Sequence, residues 1–152
     1  MKKLIGLLML LPLVGAEPAG YKYWSAQDLK ALAKTLAPKV NAQKVALDNL
    51  ANFGPDHALV VHREGSGQAE LHETEADVIV VVSGEGTLIV GGTMPGSKTT
   101  APGEVRGPSI DGGTVRQKIA PGDILHISPK TAHQVLLEPG KQITYFTLKV
   151  KE

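Results

Sequence analysis

Carboxylates and imidazoles gather in two short stretches of the chain. In the first, Glu70-Leu71-His72-Glu73-Thr74-Glu75-Ala76-Asp77 leads into the apolar run Val78 to Val82, which ends at Ser83-Gly84-Glu85-Gly86. In the second, Pro121-Gly122-Asp123 opens Ile124 to Ile127, and Ser128-Pro129-Lys130-Thr131-Ala132 closes it before His133. A short apolar run bounded by turn signals reads as a strand buried on both faces. The acids and histidines at its ends therefore lie at the rim of a core, where a site is built. Oxygen and nitrogen donors of these types suit a divalent metal ion or proton transfer. The two-residue period of a strand puts Glu70 and His72 on one face.

These residues need a scaffold, and the rest of the chain reads as one. Ser25-Ala26-Gln27-Asp28 is a capping-box-like start with Asp in place of Glu. Leu29, Leu32, Ala33 and Leu36 follow at helical spacing until Pro38, which predicts one amphipathic helix over about Ala26 to Ala37. From Val40 onward the punctuation is dense in glycine and proline. Strands are expected at Lys44 to Asn49, Ala58 to Glu64, Gln68 to Glu73, Asp77 to Ser83, Thr87 to Val90, Val115 to Ile119, Asp123 to Ile127, His133 to Leu137 and Gln142 to Val150. Many short strands between turns, without alternating helices, point to a sandwich or barrel rather than a parallel α/β sheet.

Two connections bear on the site. Gly65-Ser66-Gly67 has the residues of a tight hairpin loop. Such a hairpin pairs Glu64 with Gln68, His62 with Glu70 and Val60 with His72. The longer connection from Gly91 to Gly113 has the length of a lid, a binding loop or a protruding hairpin. Its Arg106 faces an anionic ligand on one reading, and on the other is a solvated or locally paired charge beside Glu104.

The two stretches together resemble the motifs of the cupin family, small barrels whose paired motifs line a metal site. Asp77, six residues, then Gly84 fits the second half of the first motif. His72 then falls on the second histidine position and Glu70 on the first. In the second motif, Gly122 and the segment Ser128-Pro129-Lys130-Thr131-Ala132-His133 keep the spacing. Ser128 replaces a proline, Lys130 a glycine and Leu137 the terminal asparagine, and Gly65 is displaced by one position.

The resemblance implies an all-β fold: an antiparallel jelly-roll barrel, or double-stranded β-helix, with one short N-terminal helix. It divides the chain into a helical extension over 17–43 and a cupin β-barrel domain over 44–152. It also implies a metal set of Glu70, His72, Asp77 and His133, for iron(II), manganese(II), nickel(II) or zinc(II). The competing reading is a vestigial site, in which Glu70 pairs with His62, Asp77 caps a turn and His133 is a core histidine. His126 is a candidate substitute ligand or a structural residue. His57 reads as an exposed loop residue, and Glu73 and Glu75 as surface acids.

Lys2 and Lys3, the apolar run Leu4 to Val14 and the small residues Val14-Gly15-Ala16 follow the pattern of a secretory signal peptide over residues 1–16. The run is shorter than the ~18 apolar residues of a membrane span. Its removal takes Lys+Arg from 16 to 14 against 15 Asp+Glu, so the net charge moves from +1 to −1. That balance gives no footprint for nucleic acid. The absence of cysteine excludes thiol catalysis, zinc–thiolate sites and disulfides. The expected protein is an exported, periplasmic or secreted single-domain cupin. It binds a divalent metal and a small molecule, as an oxygenase or isomerase. The alternative is a binding or structural module with a degenerate metal site. The resemblance includes homodimers among the expected assemblies.

Overall fold

The computed structural model describes residue 18 and residues 20–152, so the expected leader over residues 1–16 lies outside the described residues. The chain forms α1 (Ala26–Leu36), a 3-10 turn (Ala37–Lys39) and eleven strands. These are β1 (Val45–Phe53), β2 (Asp56–Arg63), β3 (Ala69–His72), β4 (Glu75–Gly84), β5 (Gly86–Val90), β6 (Lys98–Ala101), β7 (Glu104–Gly107), β8 (Val115–Ile119), β9 (Ile124–Ile127), β10 (His133–Leu136) and β11 (Ile143–Lys151). They build two antiparallel sheets, in the orders β1-β2-β11-β4-β9 and β6-β7-β3-β10-β5-β8. The result is the jelly-roll barrel with one short helix expected from the sequence.

Alternation along β4 decides which side of the barrel each residue serves. Ile79 and Val81 point inward, where they meet Val61 and Tyr145 of their own sheet and Leu88, Ile119 and Val135 of the facing sheet. Val78 and Val80 point outward and are only half-buried. The expectation of a uniformly buried run from Val78 to Val82 is corrected accordingly. What shields the outer face is α1: Leu36 packs with Val60 and Ala46, flanked by Leu32, Val40 and Leu50. Trp24 lies against Phe146 with ring centroids 5.4 Å apart. The helix begins where the sequence predicts it, because Ser25 Oγ accepts from the Asp28 amide at 3.0 Å while Asp28 Oδ2 accepts from the Ser25 amide at 3.1 Å.

The turn after β4 depends on Gly84. Its φ is +74°, and a Cβ there would collide with the carbonyl oxygen of Gln142.

One local expectation is corrected. The Gly65-Ser66-Gly67 segment does not join a hairpin. It carries the chain from β2 in one sheet to β3 in the other, so β2 pairs with β1 and β11, while β3 pairs with β7 and β10. His62 therefore never faces Glu70. It is buried on the helix-covered side of its sheet, with Nδ1 2.7 Å from Thr144 Oγ1. The connection over residues 91–113 contains the β6–β7 hairpin, one of the three forms expected for it. Its two-residue turn is Pro102-Gly103, with Gly103 at φ +77°, and Pro followed by a positive-φ Gly is the signature of a type II turn.

Candidate metal centre

Five strands from both sheets deliver side chains to one end of the barrel interior. Strand β3 presents Glu70 and His72 on one face, and the register Glu70↔His133 brings the first residue of β10 beside them. From the other sheet, Asp77 on β4 stands opposite Lys149 on β11. Strand β7 adds Arg106 opposite Glu70 and Glu104 opposite His72. The registers align these residues within each sheet, and contacts across the barrel interior bring Asp77 to His72 and His133, together with three charged residues that the sequence reading did not place there.

The geometry of the imidazoles is specific. His72 Nδ1 lies 2.7 Å from Glu104 Oε1, and His133 Nδ1 lies 3.0 Å from the carbonyl oxygen of Thr131. Both partners only accept, so each Nδ1 carries a proton and Nε2 is the ring atom left to meet a cation, whether a proton, an ammonium or a metal ion. Those two Nε2 atoms are each 3.3 Å from the same oxygen, Asp77 Oδ2. Glu70 Oε2 is 3.7 Å from His72 Nε2, and the ligating atoms of Glu70, His72 and His133 fall within 4.8 Å of one another. Two Nε2 atoms and a carboxylate oxygen thus converge on one point, and a positive charge is needed between them.

Lys149 supplies the cation of this arrangement. Its Nζ is 2.6 Å from Asp77 Oδ1 and 2.6 Å from His72 Nε2. Burial opposes ionisation of Asp77, but hydrogen bonds from His133 and His72 and the Lys149 ammonium outweigh it and hold the carboxyl well below its usual range. At His72, burial disfavours the imidazolium while Asp77 and Glu104 favour it against Lys149, and the balance lies above the ordinary value. Protonation of His72 and the Lys149 contact exclude each other, since two N–H donors cannot share one bond.

Around this centre runs a chain of charge-assisted hydrogen bonds. Arg63 donates from Nε to Tyr145 Oη at 2.9 Å and from Nη2 to Glu70 Oε1 at 3.0 Å. Arg106 donates to Glu70 Oε2 at 3.0 Å and to Glu104 Oε2 at 2.7 Å. Arg106 is thus locally paired, as one of its two sequence readings had it. Both Glu70 oxygens accept an arginine, and each keeps a second lone pair. These bonds fix the orientation of Glu70 and, through Glu104, of His72, as partners of metal-ligating side chains do.

The remaining candidates lie elsewhere. His126 is exposed on the outer face of β9, opposite Val78. His57 is half-buried and lines the cavity next to the centre. Glu73 is exposed, and Glu75 joins His72 and Glu104 in a second, looser grouping of donors.

That cavity has a volume of about 600 Å³. Asp77, His133 and Lys149 stand at its charged end, and Leu59, Val61 and Ile79 form an apolar wall. Thr147, also in the lining, has a buried hydroxyl with no hydrogen-bond partner among the described residues.

No family model matches the sequence, and no curated protein matches it. Solved structures share the fold. A cupin-2 domain from Rhodospirillum rubrum superposes with a TM-score of 0.53 at 15% identity, over 72% of this chain and 62% of that one. The cupin domain of a Schizosaccharomyces pombe protein gives 0.53 at 9% identity, over 76% and 66%. A DMSP lyase from Ruegeria pomeroyi gives 0.50 at 14% identity, over 72% and 48%. The chain spans about half the length of the lyase. At these identities the likeness is one of fold, and the fold is that of the cupins.

Proposed function

We propose that the protein binds a divalent metal ion through His72, Asp77 and His133, with Glu70 as a fourth ligand, and holds a small molecule in the adjoining cavity. The observation that carries this reading is the convergence of two Nε2 atoms on Asp77 Oδ2 at 3.3 Å with both Nδ1 atoms committed to acceptors. Lone pairs that face one another inside a barrel call for a cation. Two imidazoles and two carboxylates suit iron(II), manganese(II), nickel(II) or zinc(II). A bound ion would act as a Lewis acid toward a ligand oxygen.

The chain's own residues supply the rest. Arg63 and Arg106 hold Glu70, Glu104 orients His72, and the Thr147 hydroxyl offers a hydrogen bond to whatever fills the cavity. The apolar wall accommodates the non-polar part of such a ligand. Cupin neighbours include a lyase, but fold does not select chemistry, so oxygenase and isomerase stay inside the proposal.

Lys149 favours a second reading, a metal-independent binding module in which the ammonium stands where the family places the ion. Thermal unfolding separates the two. At a free ion concentration one hundred times the dissociation constant, a site present only in the folded state adds about 2.7 kcal/mol. The metal reading expects the wild-type midpoint to rise with at least one of the four ions and the His72→Ala midpoint to stay put. If no ion raises the wild-type midpoint, the metal-independent module is the better account. Export is proposed from the first sixteen residues: native protein should begin near Glu17, and an intact mass that retains Met1 to Ala16 would contradict it.

A further inference from the structure

We propose that Lys149 is the resident counter-ion of the metal-free site, and that a divalent ion binds only by displacing its ammonium. The inference rests on the metal reading above and adds a competitor that the chain carries itself.

Placement is the first argument. Lys149 lies on β11 directly opposite Asp77, in an antiparallel register with β4 that runs unbroken from Tyr145 to Lys151. A ladder position, rather than a loop, delivers the ammonium to this point. Alternation puts Tyr145, Thr147 and Lys149 in the cavity lining, while Phe146 on the opposite face meets Trp24.

Chemistry is the second. The Nζ atom is 2.6 Å from His72 Nε2 and 2.6 Å from Asp77 Oδ1. An ammonium that donates into the Nε2 lone pair occupies the electron pair a metal ion needs, so the two cations exclude each other at His72. Asp77 has a side chain only 5% exposed, and a buried carboxylate without a counter-ion is strongly destabilising. Lys149 removes that penalty before any metal arrives. Yet Asp77 Oδ1 receives no well-directed hydrogen bond, so the ammonium is held by charge more than by fit.

Mobility is the third. Lysine is a compact charge on a flexible four-carbon stem. Here it is 13% exposed and borders a cavity of about 600 Å³, so the head group has somewhere to go when an ion displaces it. The chain is thereby able to fold without metal and to load it afterwards, at reduced affinity.

The test is isothermal titration calorimetry of manganese(II) and zinc(II) into wild type, Lys149→Met, Lys149→Gln and His72→Ala, with the midpoint of each metal-free protein recorded alongside. Lys149→Met should bind at least about tenfold more tightly than wild type, as expected when a charge competing at contact distance is removed. Its metal-free midpoint should fall and be restored by the ion. Lys149→Gln, which keeps length and polarity without charge, should also bind more tightly and gives the answer if the methionine variant does not fold. Binding by the Lys149 variants but not by wild type overturns displacement, since the ammonium is then the permanent occupant and the metal-independent module describes the wild type. Wild-type binding that is lost in His72→Ala but unchanged or weakened by both Lys149 substitutions upholds the metal centre and overturns the role of Lys149. Absence of binding in every protein overturns both.

Discussion

Strand β4 carries two chemistries within five residues. At Asp77 it enters a cluster of charges held by hydrogen bonds to His72, His133 and Lys149. At Ile79 and Val81 it enters an apolar layer shared with Val61, Leu88 and Tyr145. Both regions are buried, but by different physics. The apolar layer is stabilised by area removed from water and tolerates no charge. The polar end is stabilised only while every charge keeps its partner, and a fully apolar replacement of similar shape would hold the fold as well or better. A group of charges that the fold does not need points to a ligand.

The widest separation between the two regions is expected from Val81→Asp, which buries a carboxylate with no partner at a loss of several kcal/mol. No cooperative unfolding transition should remain in the calorimeter. Val80→Asp, on the outer face and half-buried, should be tolerated better, and equal damage at both positions would erase the inside-outside assignment of β4.

At the polar end, Asp77→Ala strands Lys149 and should lower stability by about 3–5 kcal/mol. The double substitution Asp77→Leu with Lys149→Met should recover most of that loss in denaturant unfolding of the metal-free protein. A double variant as unstable as the single one would show that the charges serve the fold. The single substitution also has a pH signature. The folded-state pKa of Asp77 is depressed, so its contribution is present above the unfolded-state value, about 3.9, and fades as pH falls below it. The gap between wild type and Asp77→Ala should therefore narrow on acidification.

Most of the fold was legible because its signals are local. Five apolar residues between turns, Ser25 with Asp28, and glycine or proline at most reversals specify a strand, a helix start and a set of turns without reference to the rest of the chain. The cluster was less legible because it depends on pairing. His62 was assigned to Glu70 through a hairpin that does not exist, since a short glycine-rich segment serves a sheet-to-sheet crossing as readily as a tight turn. Strands β6 and β7 are short and polar with no apolar run to mark them, β6 lying at the sheet edge, although Pro102-Gly103 was a usable turn signal. Missing them hid Glu104. Lys149 stood in plain alternation with Tyr145 and Thr147, and that period was the only hint that a lysine points inward.

Lys130 gives the smallest expected effect and concerns the motif itself. It occupies the position where the family's pattern carries glycine, and its φ is +60° while its amide donates to the His72 carbonyl oxygen at 2.6 Å. A lysine thus stands in a left-handed turn that glycine would adopt more readily. Lys130→Gly should therefore leave the site intact and raise stability by no more than about 1 kcal/mol, relief of strain being partly offset by the entropy of the unfolded chain. A clear loss of stability would mean that the lysine side chain contributes something its backbone does not show.

The metal centre itself is tested most directly by X-ray absorption on zinc-loaded, desalted protein. The account predicts nitrogen and oxygen donors at about 2.0–2.2 Å, with the scattering of two imidazoles in wild type, one in His133→Ala and none in His72→Ala with His133→Ala. Zinc that washes away on desalting, or an imidazole count that does not change when His72 and His133 are removed, would contradict it.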